Sequence, residues 1–105
     1  MAKRRTKYGG VLPRGYVWET GPDGKDVVAK DKEAEAEILF IFDLAKKHYK
    51  YAYIAREVNL RDNNKYWLYL REHVRRICIN RRYAGYLDYP AYITDEEFRE
   101  INEQK

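Results

Sequence analysis

Apolar positions along this chain repeat with two periods, and the switch between them divides it into parts. Tyr16 to Glu19 and Asp26 to Ala29 are short aromatic or β-branched runs on either side of Gly21-Pro22-Asp23-Gly24. Two such runs around a Gly/Pro turn signal predict a β-hairpin with a loop of several residues. Beyond it the spacing lengthens: Ala34, Ile38, Ile41, Phe42 and Ala45 follow helical spacing and predict a helix over about residues 31–48. Asp31 is placed to cap it, and acidic residues crowd its first turns as the helix dipole favours. Glu33, Glu37 and Lys47 fall on the wet side of the stripe.

A second helix is predicted over about residues 51–58, with Ile54, Ala55 and Val58 turned inward, followed by an Asn- and Asp-rich turn from Asn59 to Asn64. The third helix is expected from about Asn64 to Ile79. On its wheel Trp67, Leu70, Val74, Ile77 and Cys78 share one face, while Tyr69, Glu72, Arg75 and Arg76 share the other. Asn80 closes this helix and Tyr83-Ala84-Gly85 redirects the chain. Tyr86 to Tyr89 then reads as an extended run that adds a third strand to the hairpin before Pro90 ends it. Thr94 caps a terminal helix reaching about Glu103. The expected fold is a small α+β domain, a helical bundle containing a helix-turn-helix beside a three-stranded antiparallel sheet. Residues 13–105 form this domain and residues 1–12 a basic, flexible arm.

The net charge of +4 conceals a segregation. Residues 1–16 carry five basic side chains and no acidic one, and residues 46–89 carry eleven basic against four acidic. Residues 17–45 and 90–105 lean the other way, with eight acidic to three basic and five acidic to two basic. Positive charge thus collects in the arm and around the third helix, the footprint of a phosphate-binding face. A merely solvated surface accounts for any single Lys or Arg. It does not account for their coincidence with the helix-turn-helix pattern.

Composition excludes other classes. At 105 residues, 45% hydrophobic and 36% charged, the chain suits one compact globular domain. No apolar run approaches the ~20 residues that span a bilayer. Ala2-Lys3-Arg4-Arg5 leads into Gly and Pro, so no signal peptide is expected, and a cytoplasmic location is. A single cysteine, Cys78, permits neither an internal disulfide nor a multi-cysteine zinc site and reads as a core thiol. His48 and His73 stand far apart with no partner at ligand spacing. Glu33, Glu35 and Glu37 alternate around a helix as dipole partners, not as a catalytic pair, and Gly9-Gly10 lacks the Lys-Ser/Thr of a phosphate loop. No metal, cofactor or small-molecule ligand is expected.

Several ordered motifs are more specific than periodicity. Ile54, Ala55 and Asn59 give I-A-x-x-x-N, and Val74, Ile77, Asn80, Tyr83 and Gly85 give V-x-x-I-x-x-N-x-x-Y-x-G. Pro13-Arg14-Gly15-Tyr16 precedes them, and Glu33-Ala34-Glu35-Ala36-Glu37-Ile38 runs on to Ile41-Phe42. Ile93-Thr94-Asp95-Glu96-Glu97-Phe98 follows. In this order, over roughly residues 10–103, they resemble the recombinase domain that follows the catalytic domain in large serine site-specific recombinases. The resemblance implies a domain that binds duplex DNA and positions a separate catalytic domain at an attachment site. The parent would be a bacterial or phage-encoded, nucleoid-associated protein acting as a dimer or tetramer on DNA, with this fragment binding as a monomer. The family's nucleophilic serine lies in the catalytic domain. The present chain contains no serine at all, so it is expected not to be an enzyme on its own.

By the same resemblance the third helix enters the major groove, where side chains meet base edges and phosphates. The arm, Lys3 to Lys7, lies in the adjacent minor groove. The candidate DNA contacts are therefore Arg4, Arg5 and Lys7 in the arm, Lys65, Tyr69, Arg71, Arg75 and Arg76 around the third helix, and Arg81 and Arg82 beyond it. The eleven tyrosines raise the question of stacking on single strands. Tyr16, Tyr83 and Tyr86 occupy family positions best explained by core or sheet packing, which leaves Tyr66 and Tyr69 for DNA. His73 reads as a surface residue or a DNA contact. One departure concerns Tyr69: the family has a Trp there, five residues before the Val, whereas the Trp here is Trp67. Either the helix starts earlier or Tyr69 takes over the packing role. A free-standing helix-turn-helix regulator would share the charge pattern but need a dimerisation surface, for which no heptad run exists. A protein-interaction adaptor would explain the tyrosines but not the segregated charge.

Overall fold

Gly15 fixes the turn that leads into the first strand. Its φ is +100°, and a Cβ there would lie 2.9 Å from Ile38 Cγ1, so a residue without a side chain is needed for the turn to press against that part of the core. In this computed structural model, which describes residues 12–61 and 68–103, Tyr16 N donates to Pro13 O at 3.2 Å and the chain passes into β1, Tyr16–Thr20. β2, Asp26–Lys30, returns antiparallel, pairing Tyr16 with Lys30 and Thr20 with Asp26. The connecting loop closes through Gly21 N to Lys25 O at 2.7 Å, with Gly24 at φ +81°. Tyr16 and Val17, at the base of β1, are buried, and Trp18 and Val28 pack partly against the core.

Asp31 caps a turn one step ahead of the helix it was expected to start. Its carboxylate accepts from Glu33 N at 3.0 Å, its carbonyl accepts from Ala34 N, and α1 runs Glu35–Lys46. The expected stripe of Ala34, Ile38, Ile41, Phe42 and Ala45 is buried. Glu37, expected in water, is 8% exposed. α1 ends in a Schellman motif: Tyr49 N donates to Leu44 O and His48 N to Ala45 O, with His48 at φ +65° where glycine is usual.

α2, Tyr51–Arg61, runs three residues beyond its expected end and buries Ile54, Ala55 and Val58. The rest of the expected turn, with Lys65, Tyr66 and Trp67, lies outside the described residues. α3 is shorter than expected, Arg71–Ile79, and packs chiefly on α2 through Val74, Ile77 and Cys78. Residues 68–70 are not helical, and Leu70, expected in the core, is 55% exposed. Asn80 ends α3, and its side chain accepts from Arg82 N at 3.1 Å to open a 3₁₀ turn over Arg81–Ala84.

The third strand is not formed. Gly85 at φ +97°, Leu87 at +58° and Asp88 at +63° curl the segment into a tight turn that no strand can follow, and Tyr86, expected to pack, is 52% exposed. Among the described residues the sheet has two strands. α4, Asp95–Asn102, starts as expected with a capping box: Glu97 N donates to Thr94 Oγ1 and Thr94 N to Glu97 Oε1. Phe98 and Ile101 close the core. The fold is thus a small α+β one, with four α-helices and one two-stranded hairpin among the described residues.

Tyrosine hydroxyls stitch this core together. Tyr92 donates to Gly15 O at 2.6 Å, Tyr83 to Arg14 O, and Tyr16 to Pro90 O at 2.7 Å. The rings of Tyr16, Tyr83, Tyr89 and Tyr92 meet at centroid distances of 4.9–5.9 Å. Each buried phenol therefore has an acceptor, and together they bind the turn before β1 to the loop after α3. Burial pushes the Tyr16 and Tyr92 hydroxyls above their ordinary pKa.

Candidate nucleic-acid interface

α3 is two-sided. Val74, Ile77 and Cys78 are buried, and Arg71, Glu72, Arg75, Arg76 and Ile79 are exposed on the remaining surface. The exposed residues sit at i, i+4 and i, i+3 positions, so Arg71, Arg75 and Arg76 project from neighbouring turns. One carboxylate shares this surface: Glu72 lies 3.8 Å from Arg75, an exposed pair that is easily exchanged for another anion. At the start of α3 the Leu70 N–H is satisfied by His73 Nδ1 at 3.0 Å. That gives His73 a capping role in place of the free surface role considered for it.

Two clamps hold the segment ahead of α3. Asn59 Nδ2 donates to Tyr69 O at 2.8 Å, and Tyr69 N donates to Asn59 Oδ1 at 2.9 Å. This is the Asn of the I-A-x-x-x-N motif, and its amide pairs with the Tyr69 backbone as a neighbouring strand would. The second clamp is the Tyr69 side chain, 1% exposed, whose hydroxyl donates to Glu37 Oε1 at 2.8 Å and accepts from Arg14 Nε at 3.0 Å. Arg14 also pairs with Glu37 at 2.8 Å. Desolvation pushes the Tyr69 hydroxyl above its ordinary pKa. Tyr69 is therefore corrected from DNA contact to core residue.

The other candidates separate into groups. Arg4, Arg5 and Lys7 in the arm, and Lys65 before α3, lie outside the described residues. Arg81 and Arg82 do not join the α3 cluster as free cations: their guanidinium groups lie 5.8 Å from the Phe98 ring and 5.5 Å from the Tyr89 ring, where cation–π contact engages them. Arg71 does more than face outward, because it also lines a cleft with His48, Lys50 and Tyr51. Lys50 was not singled out in the sequence, and His48 was considered there only as a metal ligand without a partner at the right spacing. Lys50 stood there only as one charge among eleven.

Among the described residues, no three His, Cys, Asp or Glu side chains gather as a metal site, and no helix is long and apolar enough to cross a membrane. Cys78 is buried, and desolvation pushes its thiol up to about 12. No protein family, curated protein or solved structure matches the chain.

Proposed function

We propose that this chain is a duplex-DNA-binding domain of the serine-recombinase type, with α2 and α3 acting as a helix-turn-helix and α3 as the reading helix. The observation that carries the proposal is the two-sidedness of α3. One face is locked onto α2, and the other presents Arg71, Arg75 and Arg76. Nine helical residues extend about 13 Å, comparable to the ~12 Å width of the major groove. The arm residues Arg4, Arg5 and Lys7 are assigned to the adjacent minor groove, and Lys65 to the backbone beside α3. Arg81 and Arg82 flank the interface. The chain supplies binding and position to a separate catalytic domain, within a parent that assembles as a dimer or tetramer on DNA.

The test is a fluorescence-anisotropy titration of the whole chain against a duplex selected from a random pool, at several salt concentrations. Weak monomeric binding is expected, with log K falling linearly in log salt by about 0.9 for each phosphate neutralised. Arg76→Ala should cost about 1–3 kcal/mol on the selected duplex and less on random DNA. Arg4→Ala with Arg5→Ala should weaken both duplexes alike and flatten the slope. Salt-independent binding, or none at low ionic strength, defeats the proposal.

A further inference from the structure

Beside the exposed face of α3, at the junction of α1 and α2, lies a cleft of about 480 Å³. That volume falls within the usual range for small-ligand sites. Among the described residues three nitrogen bases line it, His48, Lys50 and Arg71, and no carboxylate does. Among the described residues none of the three has an acidic side chain within ion-pair distance. Two neighbouring carboxylates already have other partners: Asp43 lies 3.5 Å from Lys47, and Glu97 lies 2.9 Å from Lys46. Among the described residues Lys50 and Arg71 meet there without a counterion and repel each other, so the arrangement favours an anion from outside.

The walls agree. Tyr49 and Tyr51 line the cleft beside Lys50 and Arg71, and Ile101 of α4 lines its apolar side. Tyr49 stacks on Tyr53 at 4.8 Å, which holds its ring in place at the rim. His48 takes a left-handed backbone, φ +65°, a costly conformation for a side chain of its size. This reversal swings residues 48–52 round to face Arg71. Arg71 belongs to both surfaces, so the cleft and the reading face of α3 are continuous.

The geometry points to a phosphate-binding seat formed by His48, Lys50 and Arg71 and lined by Tyr49 and Tyr51. A phosphodiester of the duplex backbone would occupy it. The choice of phosphodiester rests on the duplex-binding reading, whereas the phosphate chemistry does not.

The test follows backbone amides by NMR in the whole chain, titrated separately with inorganic phosphate and with a duplex, for the parent, Lys50→Ala and Lys50→Arg. Lys50 is exposed, so its replacement does not endanger folding, and the amide spectrum reports the fold directly. Tyr51 and Ala52 amides should move with both probes. Lys50→Ala should weaken inorganic phosphate at least fivefold and reduce the duplex salt slope by about 0.9, the share of one phosphate, and Lys50→Arg should restore both. Unmoved amides, or equal phosphate binding by Lys50→Ala, overturn the seat. Duplex binding with an unchanged slope in Lys50→Ala overturns it while leaving the duplex reading intact. Lys50-dependent phosphate binding without any duplex binding upholds the seat, assigns its phosphate to a free phosphorylated ligand, and removes the duplex reading.

Discussion

Replacing Asn59 by alanine should loosen the attachment of α3 to the rest of the domain. The Asn59 amide makes two hydrogen bonds, at 2.8 and 2.9 Å, to the carbonyl and N–H of Tyr69, two residues before α3 begins. Each such bond contributes about 1 kcal/mol net, and more is lost when a buried partner is left unsatisfied. Leu68 and Leu70 are exposed on either side, so water can reach part of the freed backbone. The expected cost is therefore about 2 kcal/mol, and for a domain of this size a fall in Tm of roughly 8–16 °C. Urea unfolding followed by circular dichroism measures it, and an unchanged m-value would show that the native state alone has been weakened. Asn59→Asp keeps the acceptor but loses the donor, and should fall between the parent and Asn59→Ala. Duplex affinity should drop with Asn59→Ala even where the protein remains folded, because α3 is no longer held at a fixed angle. An Asn59→Ala protein within about 0.5 kcal/mol of the parent, the scatter typical of inert surface changes, refutes the clamp.

Four further outcomes follow from the same geometry. His48→Gly, at the left-handed position of the α1 Schellman motif, should raise stability by about 1 kcal/mol in thermal unfolding, while weakening any anion binding in the cleft. Gly15→Ala should cost about 2–4 kcal/mol, because it combines a positive φ with a 2.9 Å approach to Ile38; a well-folded variant would show that the turn can move. Cys78, its thiol raised from 9.0 to about 12 by burial, should resist a thiol reagent at pH 8 until the protein unfolds. Stability should also decline between those two values, since the unfolded thiol ionises there and the folded one does not. The Thr94 backbone N–H and Lys46 hold the Glu97 carboxyl below its ordinary range, so its contribution is present above the unfolded pKa and is lost as pH falls through the lowered one. Glu97→Gln should flatten that acid limb, with an effect under about 1 kcal/mol for so exposed a pair.

Elements whose burial follows one uninterrupted period were legible in the sequence. The α1 stripe, the inward residues of α2 and the Thr94 cap are local patterns, and each appears where the spacing placed it. The same holds for Arg75 and Arg76, whose outward direction follows from Val74, Ile77 and Cys78 facing in. The errors around residue 70 come from extending the helical period past its end. In residues 68–70 the backbone is not helical, and burial alternates, with Leu68 out, Tyr69 in and Leu70 out. A period of two thus puts into the core the residue that a period of 3.6 had put on the DNA face. Glu37 was misplaced for a different reason. Helical spacing from Ala34 and Ile41 puts its position at the edge of the stripe, its charge argues for water, and Arg14 and Tyr69, brought in from 23 and 32 residues away, make its burial tolerable.

The cleft beside α3 depends on distance of the same kind. His48 and Lys50 carry no motif and lie more than twenty residues from Arg71 in the chain. They meet it because α1 ends in a left-handed turn on a residue that does not favour one. Asn59 and Tyr69 then set where α3 begins relative to that turn. A change at either clamp should therefore disturb the proposed reading face and the phosphate seat together, whereas a change at Lys50 should disturb the seat alone. Comparing Asn59→Ala with Lys50→Ala separates the framework that aligns the interface from the charge that binds at it. The first should reduce both sequence preference and salt slope, and the second the slope only. Loss of sequence preference in Lys50→Ala would mean that the cleft itself takes part in reading the bases.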